Sequence, residues 1–269
     1  MAFAHLHVHT EYSLLDGSNK IKEYVKRVKE LGMTAAAITD HGAMYGVIDF
    51  YRAARAEGIN PILGCEVYVA PRSRFDKEHG VDSEYTHLIL LCKNETGYKN
   101  LCYLVSMAFT EGFYNKPRVD LELLEQYHEG LICLSACLAG EIPRRLVNGD
   151  YAGAKEAALR YRQIFGADSY YLEVQDHGIR EQKTILPQLY RLSRETGIPL
   201  AATNDAHYIT REDASLQHVL LCIQTNKTVE DPTGMGFETD EFYVKSREEM
   251  EAALPDFSDA LDNTEKIAA

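Results

Sequence analysis

The stretch from Phe3 to Gly42, FAHLHVHTEYSLLDGSNKIKEYVKRVKELGMTAAAITDHG, reads as one complete strand–helix–strand unit. Phe3–His9 alternates in the period of two that belongs to a strand. Ser18–Leu31 carries Ile21, Val25 and Val28 at helical spacing, with Ser18 as the expected N-cap and Gly32 as the stop. Ala35–Thr39 is again short and apolar. Further along, Ile62–Val69, Thr86–Leu91, Leu131–Ser135, Tyr170–Val174 and Leu200–Thr203 repeat the strand signal. Helices are expected at Tyr151–Phe165, ended by Gly166, at Glu181–Thr196, ended by Gly197, and near Asp259–Ile267. Short apolar runs alternating with amphipathic helices predict an α/β fold with a parallel sheet, and seven such strands favour a closed barrel over an open sheet.

Two segments depart from the pattern. Pro71–Glu84 is polar and expected to be an exposed loop, and Asn226–Phe242, with Pro232, Gly234 and Gly236, is irregular. The chain is therefore expected to form one domain over 1–269, with a barrel over about 1–225 and an irregular segment and helices over about 226–269. It runs from its last helix straight to the terminus, as a domain cut from something longer or a complete small protein would.

Composition narrows the class. The 269 residues are 45% hydrophobic and 26% charged, which is ordinary for a globular protein. No apolar run approaches the ~18 residues of a bilayer span, and the first residues lack the basic and apolar regions of a signal peptide. The expectation is a cytoplasmic protein with no membrane partner. Six cysteines without a CxxC pair suit free thiols in a reducing compartment. The formal net charge of −13 argues against tight, unaided binding of duplex DNA, since phosphate neutralisation drives that affinity. Bound cations could reverse the sign locally.

Chemistry gathers at the strand ends. His5, His7 and His9 would share one face of the first strand, and neutral imidazole is a common ligand for divalent metals. Asp40 and His41 close the second candidate strand, Glu66 sits in the third, His87 in the fourth, Cys137 just past the fifth, and Asp205 and His207 after the seventh. Barrel active sites form at the C-terminal ends of strands, so this distribution points to a metal site there. Glu173, Asp176 and His177 at the sixth strand are weaker candidates. His79, His128 and His218 read as surface or packing residues.

HLHVHTEYSLLDG, AITDHGAMYG, PILGCEVYV, THLILL and ATNDAHY resemble the successive motifs of the PHP (polymerase and histidinol phosphatase) family. NETGYKNLCYLVSMAFTEGFYNKPRVD and LLCIQTNKTVEDP resemble its branch at the N-terminus of bacterial replicative polymerases. The resemblance spans essentially the whole chain. It implies a distorted (β/α)7 TIM-like barrel, the PHP fold, holding three divalent ions (zinc, manganese or iron). Carried onto this sequence, His7, His9, Glu66 and Asp205 would surround one ion. Glu66 would bridge to a second held by His87 and Cys137, and Asp16, His41 and His207 would hold the third. Asp16 and Cys137 stand where other branches carry histidine. His5 is then expected to be structural.

Several divalent ions in one pocket suit phosphate-ester hydrolysis. Glu66 and Asp205 would be central to catalysis, with Asp40 or His177 steering a water. Asp40 reads equally well as a turn residue. Arg118, Arg144 and Arg145 are candidate phosphate contacts, and equally plausible as solvated surface charges. Three functions fit: a 3′–5′ exonuclease that proofreads DNA 3′ ends beside polymerase modules of a longer chain, a small-molecule phosphatase of the histidinol-phosphate type, and a non-catalytic metal-stabilised scaffold.

Overall fold

In the computed structural model, which describes residues 3–231, 237 and 239–269, helices and strands alternate through most of the chain. In order they are α1 (Ile21–Glu30), β1 (Ala35–Ile38), α2 (Val47–Ala56), β2 (Asn60–Val69), β3 (Thr86–Cys92), α3 (Glu95–Thr110), β4 (Arg118–Val119), α4 (Leu121–Tyr127), β5 (Leu131–Leu134), α5 (Glu141–Val147) and α6 (Tyr151–Phe165). Next come β6 (Tyr170–Val174), α7 (Arg180–Thr196), β7 (Leu200–Ala202), α8 (Ala214–Gln224), α9 (Arg247–Ala253) and α10 (Ser258–Ala268). Pro232, Gly234 and Gly236 lie outside the described residues.

The sheet runs β1-β2-β3-β5-β6-β7, with β4 attached to β2. Its seventh stave is the segment Phe3–His9, which makes no regular ladder but closes the ring. Ala37 and Thr39 donate backbone N–H groups to His5 O (2.8 Å) and Val8 O (2.9 Å) on one side. On the other, His9 N donates to Ala206 O at 2.9 Å and Ala206 N to His7 O at 3.1 Å. The result is a mixed α/β fold around a curled sheet, the distorted TIM-like barrel expected.

The parallel-only expectation fails at one place. β3 pairs antiparallel with both β2 and β5. The physical cause is the connection: Ala70–Tyr85 contains no crossover helix, and without one the chain must return alongside β2. This loop is mostly exposed, but Arg74 and Asp82 within it are buried.

Side-chain parity separates two apolar layers. Ala36, Ile38, Val67, Leu88, Leu90, Cys133 and Leu172 belong to the layer that packs against helices. Their strand neighbours Ala35, Ala37, Ile62, Ile89, Leu91, Ile132, Leu134 and Ala201 form the inner layer, joined by Ile267 and Ala268 of α10. That helix closes one end of the ring. Asn263 Nδ2 donates to Leu200 O at 2.7 Å, and Ala4 N donates to Thr264 Oγ1 at 3.2 Å. Continuing the inner parity toward the opposite end reaches Glu66, His87, Glu173 and Asp205. These four side chains thus gather at the open rim.

Helix ends follow the sequence closely, with one exception. Gly166 and Gly197 cap α6 and α7 at positive φ, as their freedom from a Cβ allows. Ser18 is not the N-cap of α1: Lys20 takes that position and makes no side-chain cap bond. Instead, Ser18 Oγ donates to His207 O at 3.3 Å, tying the loop before α1 to the rim.

Candidate metal centre

Nine residues were expected to hold metal, and seven of them form three overlapping groups at the open rim. These are His7–His9–Glu66–Asp205, His41–Glu66–His87 and His9–His41–His207, with the candidate donor atoms of each group within 4.8 Å of one another. His7 Nε2 lies 2.6 Å from Glu66 Oε2, 3.1 Å from Asp205 Oδ1 and 3.2 Å from His9 Nε2. His9 Nε2 lies 3.1 Å from both Glu66 Oε2 and Asp205 Oδ1. The second Glu66 oxygen, Oε1, contacts His87 Nδ1 and lies 3.4 Å from His41 Nδ1. One carboxylate therefore faces two groups of donors.

The other two expected ligands stand beside these groups. Asp16 Oδ2 is 3.0 Å from His41 Nε2, and Oδ1 is 3.8 Å from His207 Nε2. Cys137 follows β5; burial, Asp205 and Glu66 together push its thiol pKa well up. By distance alone, His41 groups with Glu66 and His87, and His9 with His41 and His207.

His5 does not share the face of His7 and His9. The backbone bends at His7, so His5 turns away, with Nε2 at 2.9 Å from Lys245 O and its ring edge-on to Phe3. The period of two therefore holds only over His7 and His9.

Backbone strain concentrates here. Leu15, Ala136 and Asp205 have positive φ (60°, 64° and 44°), a region that side chains with a Cβ rarely adopt. Leu15 precedes Asp16, Ala136 precedes Cys137, and Asp205 is itself a candidate ligand. Such strain persists only where surrounding structure over-determines it, and it clusters at functional sites.

Electrostatics show how unusual the grouping is without a cation. Burial disfavours charge on His7, yet Asp205, Glu173 and Glu66 raise its pKa well above the ordinary value. Burial would likewise raise Glu66, but His87, His41 and His7 hold its carboxylate well below the usual range. Asp205 is held down in the same way by His7, His207 and His9. Buried His41 Nδ1, His87 Nδ1, Glu66 Oε1 and Asp205 Oδ1 have no hydrogen-bond partner. Leaving such converging lone pairs unsatisfied is costly, and divalent cations would satisfy them. The donor set of imidazole, carboxylate and a neighbouring thiol suits a borderline transition metal better than an all-oxygen cation such as calcium.

A second layer fixes the donors. His7 Nδ1 lies 2.7 Å from Glu173 Oε1, which also accepts from Gln175 Nε2 at 2.9 Å and from Thr203 Oγ1. Asp40 accepts from Thr10 N (2.6 Å), Thr10 Oγ1 (2.8 Å) and Ser13 Oγ (2.7 Å), while Ser13 Oγ is 3.1 Å from His9 Nδ1. Asp40 thus acts on His9 through Ser13. Parity was the signal available for the residues that sequence reasoning missed: Gln175 is two residues from Glu173, and Thr203 two from Asp205. Ser13 lies in a loop and gave no such signal.

The remaining candidates are placed elsewhere. His177 is buried, with Nε2 2.9 Å from Asn204 O, Nδ1 2.7 Å from Gln182 Nε2 and its ring stacked on Phe242. It has no free nitrogen for proton transfer. Asp176 caps a turn by accepting from Gly178 N at 2.7 Å. Arg118 is wholly buried, donating to the carbonyls of Gly112, Asp82, Arg74 and Asp76 at 2.8–3.3 Å. Arg145 pairs with Glu141 and Asp150, and Arg144 lies 3.6 Å from Glu84. Among the described residues, no arginine lines the cavity of about 510 Å³ that opens over Asp16, His41 and His87.

The PHP domain family model matches residues 5–177, more than half of the chain. The chain belongs to the PHP family. The match ends before Asp205 and His207, which the fold nevertheless brings to the PHP rim. DNA polymerase III subunit alpha of Treponema pallidum is 52% identical over 269 residues, covering 100% of this chain and 23% of its own length. The same subunit of Borreliella burgdorferi is 47% identical over 99% of the chain and 23% of its own. This PHP chain thus spans about a quarter of the relatives it matches. Among solved structures, a candidate metal-dependent phosphoesterase from Bifidobacterium adolescentis aligns over 94% of this chain and 96% of its own, at 14% identity and a TM-score of 0.49. Among the described residues, no helix is long and apolar enough to cross a membrane.

Proposed function

We propose that this chain is a metal-dependent phosphoesterase domain that acts as a 3′–5′ exonuclease beside the modules of a bacterial replicative polymerase in the cytoplasm. The observation that carries this reading is Glu66, whose two oxygens face two separate groups of donors. His7, His9, Glu66 and Asp205 would hold one cation. Glu66, His41 and His87, with Cys137 adjacent, would hold a second, and His9, His41 and His207, with Asp16, a third. Divalent cations there, whether zinc, manganese or iron, supply Lewis acidity toward a phosphoryl oxygen and lower the pKa of an attacking water. The chain itself orients the donors through Glu173 and through Asp40–Ser13. Its cavity of about 510 Å³ has the size of a small-ligand site. Similarity to polymerase subunits supports DNA as the substrate, and the net charge of −13 suits contact with few phosphates at a strand end.

A metal-stabilised scaffold is the second reading, favoured by the complete burial of His7, His9 and Glu66. The deciding assay compares 5′- and 3′-labelled oligonucleotides with histidinol phosphate in metal-reconstituted protein. Shortening from the 3′ end that disappears in His7→Ala and Asp205→Asn establishes the exonuclease. Monoester cleavage with intact oligonucleotides would replace it by a phosphatase, and inactivity on every substrate in fully metallated protein would leave the scaffold.

A further inference from the structure

The cavity over the metal cluster has an aromatic outer wall that the chemistry at its floor does not require. Tyr45, in the loop before α2, is 64% exposed, and Phe109, in the last turn of α3, is 38% exposed. Both line the same cavity as His41 and His87. Their ring centroids are 6.5 Å apart with 36° between planes, and Phe109 lies 6.5 Å from the exposed ring of Phe113. Large rings left in water beside a concave site mark a binding surface, because covering them is favourable. Lys116 is the only lysine or arginine among the residues described as lining this cavity, and its Nζ sits 5.5 Å over the ring of Tyr68.

Resting on the phosphoesterase reading, we propose that Tyr45 and Phe109 form a stacking platform for the terminal base of an unpaired DNA strand, with Lys116 meeting the backbone phosphate. Flat rings stack on any base, since every base has a π face. A single lysine near the phosphate suits a strand end of one or two nucleotides, consistent with the acidic net charge. The cavity volume of about 510 Å³ lies within the usual range for small-ligand sites. The platform admits a terminus only when its base is unstacked from the duplex, so frayed ends are engaged in preference to paired ones.

The test uses the 269-residue chain and a single-stranded oligonucleotide carrying 2-aminopurine at its 3′ end, beside the same oligonucleotide with an abasic 3′ terminus. In the wild type, 2-aminopurine fluorescence falls on binding, and the abasic strand binds more weakly. Tyr45→Ala and Phe109→Ala each weaken binding roughly 5- to 100-fold and abolish the fluorescence change. Tyr45→Phe retains both, and Tyr190→Ala, an exposed ring elsewhere, behaves as wild type. Neither alanine variant further weakens binding of the abasic strand. Equal binding of normal and abasic ends by the wild type, or no loss in the alanine variants, overturns the platform and would leave these rings as a contact for another protein segment. Base-dependent binding without hydrolysis would retain the platform while rejecting the exonuclease.

Discussion

His7 Nδ1 and Glu173 Oε1 lie 2.7 Å apart, both completely buried. With its Nδ1 proton donated to Glu173, His7 presents Nε2 as a lone pair toward Glu66, Asp205 and His9. Glu173→Gln retains an oxygen acceptor but removes the charge that makes the imidazole more basic. Metal affinity should fall roughly 10- to 100-fold, read by chelator competition, with circular dichroism unchanged. Undiminished affinity would show that Glu173 serves packing alone.

Glu66→Gln should reduce metal stoichiometry by more than one equivalent, because the uncharged carboxamide would weaken both groups of donors that the two carboxylate oxygens face. Elemental analysis of reconstituted protein measures it. Loss of only one equivalent would confine Glu66 to one cation.

Cobalt substitution probes Cys137. A thiolate ligand gives a near-ultraviolet charge-transfer band that should vanish in Cys137→Ser. The metal-free thiol should alkylate slowly at neutral pH, since burial, Asp205 and Glu66 all push its pKa up. A spectrum unchanged by the substitution would remove Cys137 from the centre.

Two buried neutral histidines set acid sensitivity. Burial lowers the pKa of His177 to about 4, and that of His5 likewise to about 4. Protonating His177 would place a second N–H against the amide of Gln182. Because both folded values lie below the unfolded value near 6.5, their stabilising contribution is full above pH ~6.5 and is lost as pH falls toward 4. Urea midpoints measured across that window should decline, and less steeply in His177→Gln. An equal slope in that variant would assign the acid response to other groups.

Arg118→Ala should lower unfolding stability by about 3 kcal/mol, because four carbonyl groups lose a buried donor. Activity per folded molecule should stay constant. A raised KM with unchanged stability would restore Arg118 as a substrate contact.

Much of this was legible in the residues themselves. All seven expected strand segments are staves of the ring, and the β6 boundaries Tyr170–Val174 agree fully. Periodicity could not show that β3 runs backwards, because an antiparallel strand has the same alternation as a parallel one. The reversal explains why His87 reaches the rim from the beginning of its strand while the other donors arrive near or beyond strand ends. Arg118 was misread for a related reason: nothing local distinguishes an arginine that meets phosphate from one enclosed by the carbonyls of a distant loop. Ligand grouping also depends on rotamers and long-range register, so shared use of His9 was invisible.

The closing of the ring by Phe3–His9 against Ala206 has a temporal consequence. Ribosomes release His7 and His9 about 200 residues before Asp205 and His207. At roughly 5–20 residues per second, the histidine pair waits on the order of 10–40 s for its carboxylate and imidazole partners. A cation captured in that interval would meet a site still lacking Asp205 and His207. The proposed metal centre is therefore complete only once the last stave meets the first.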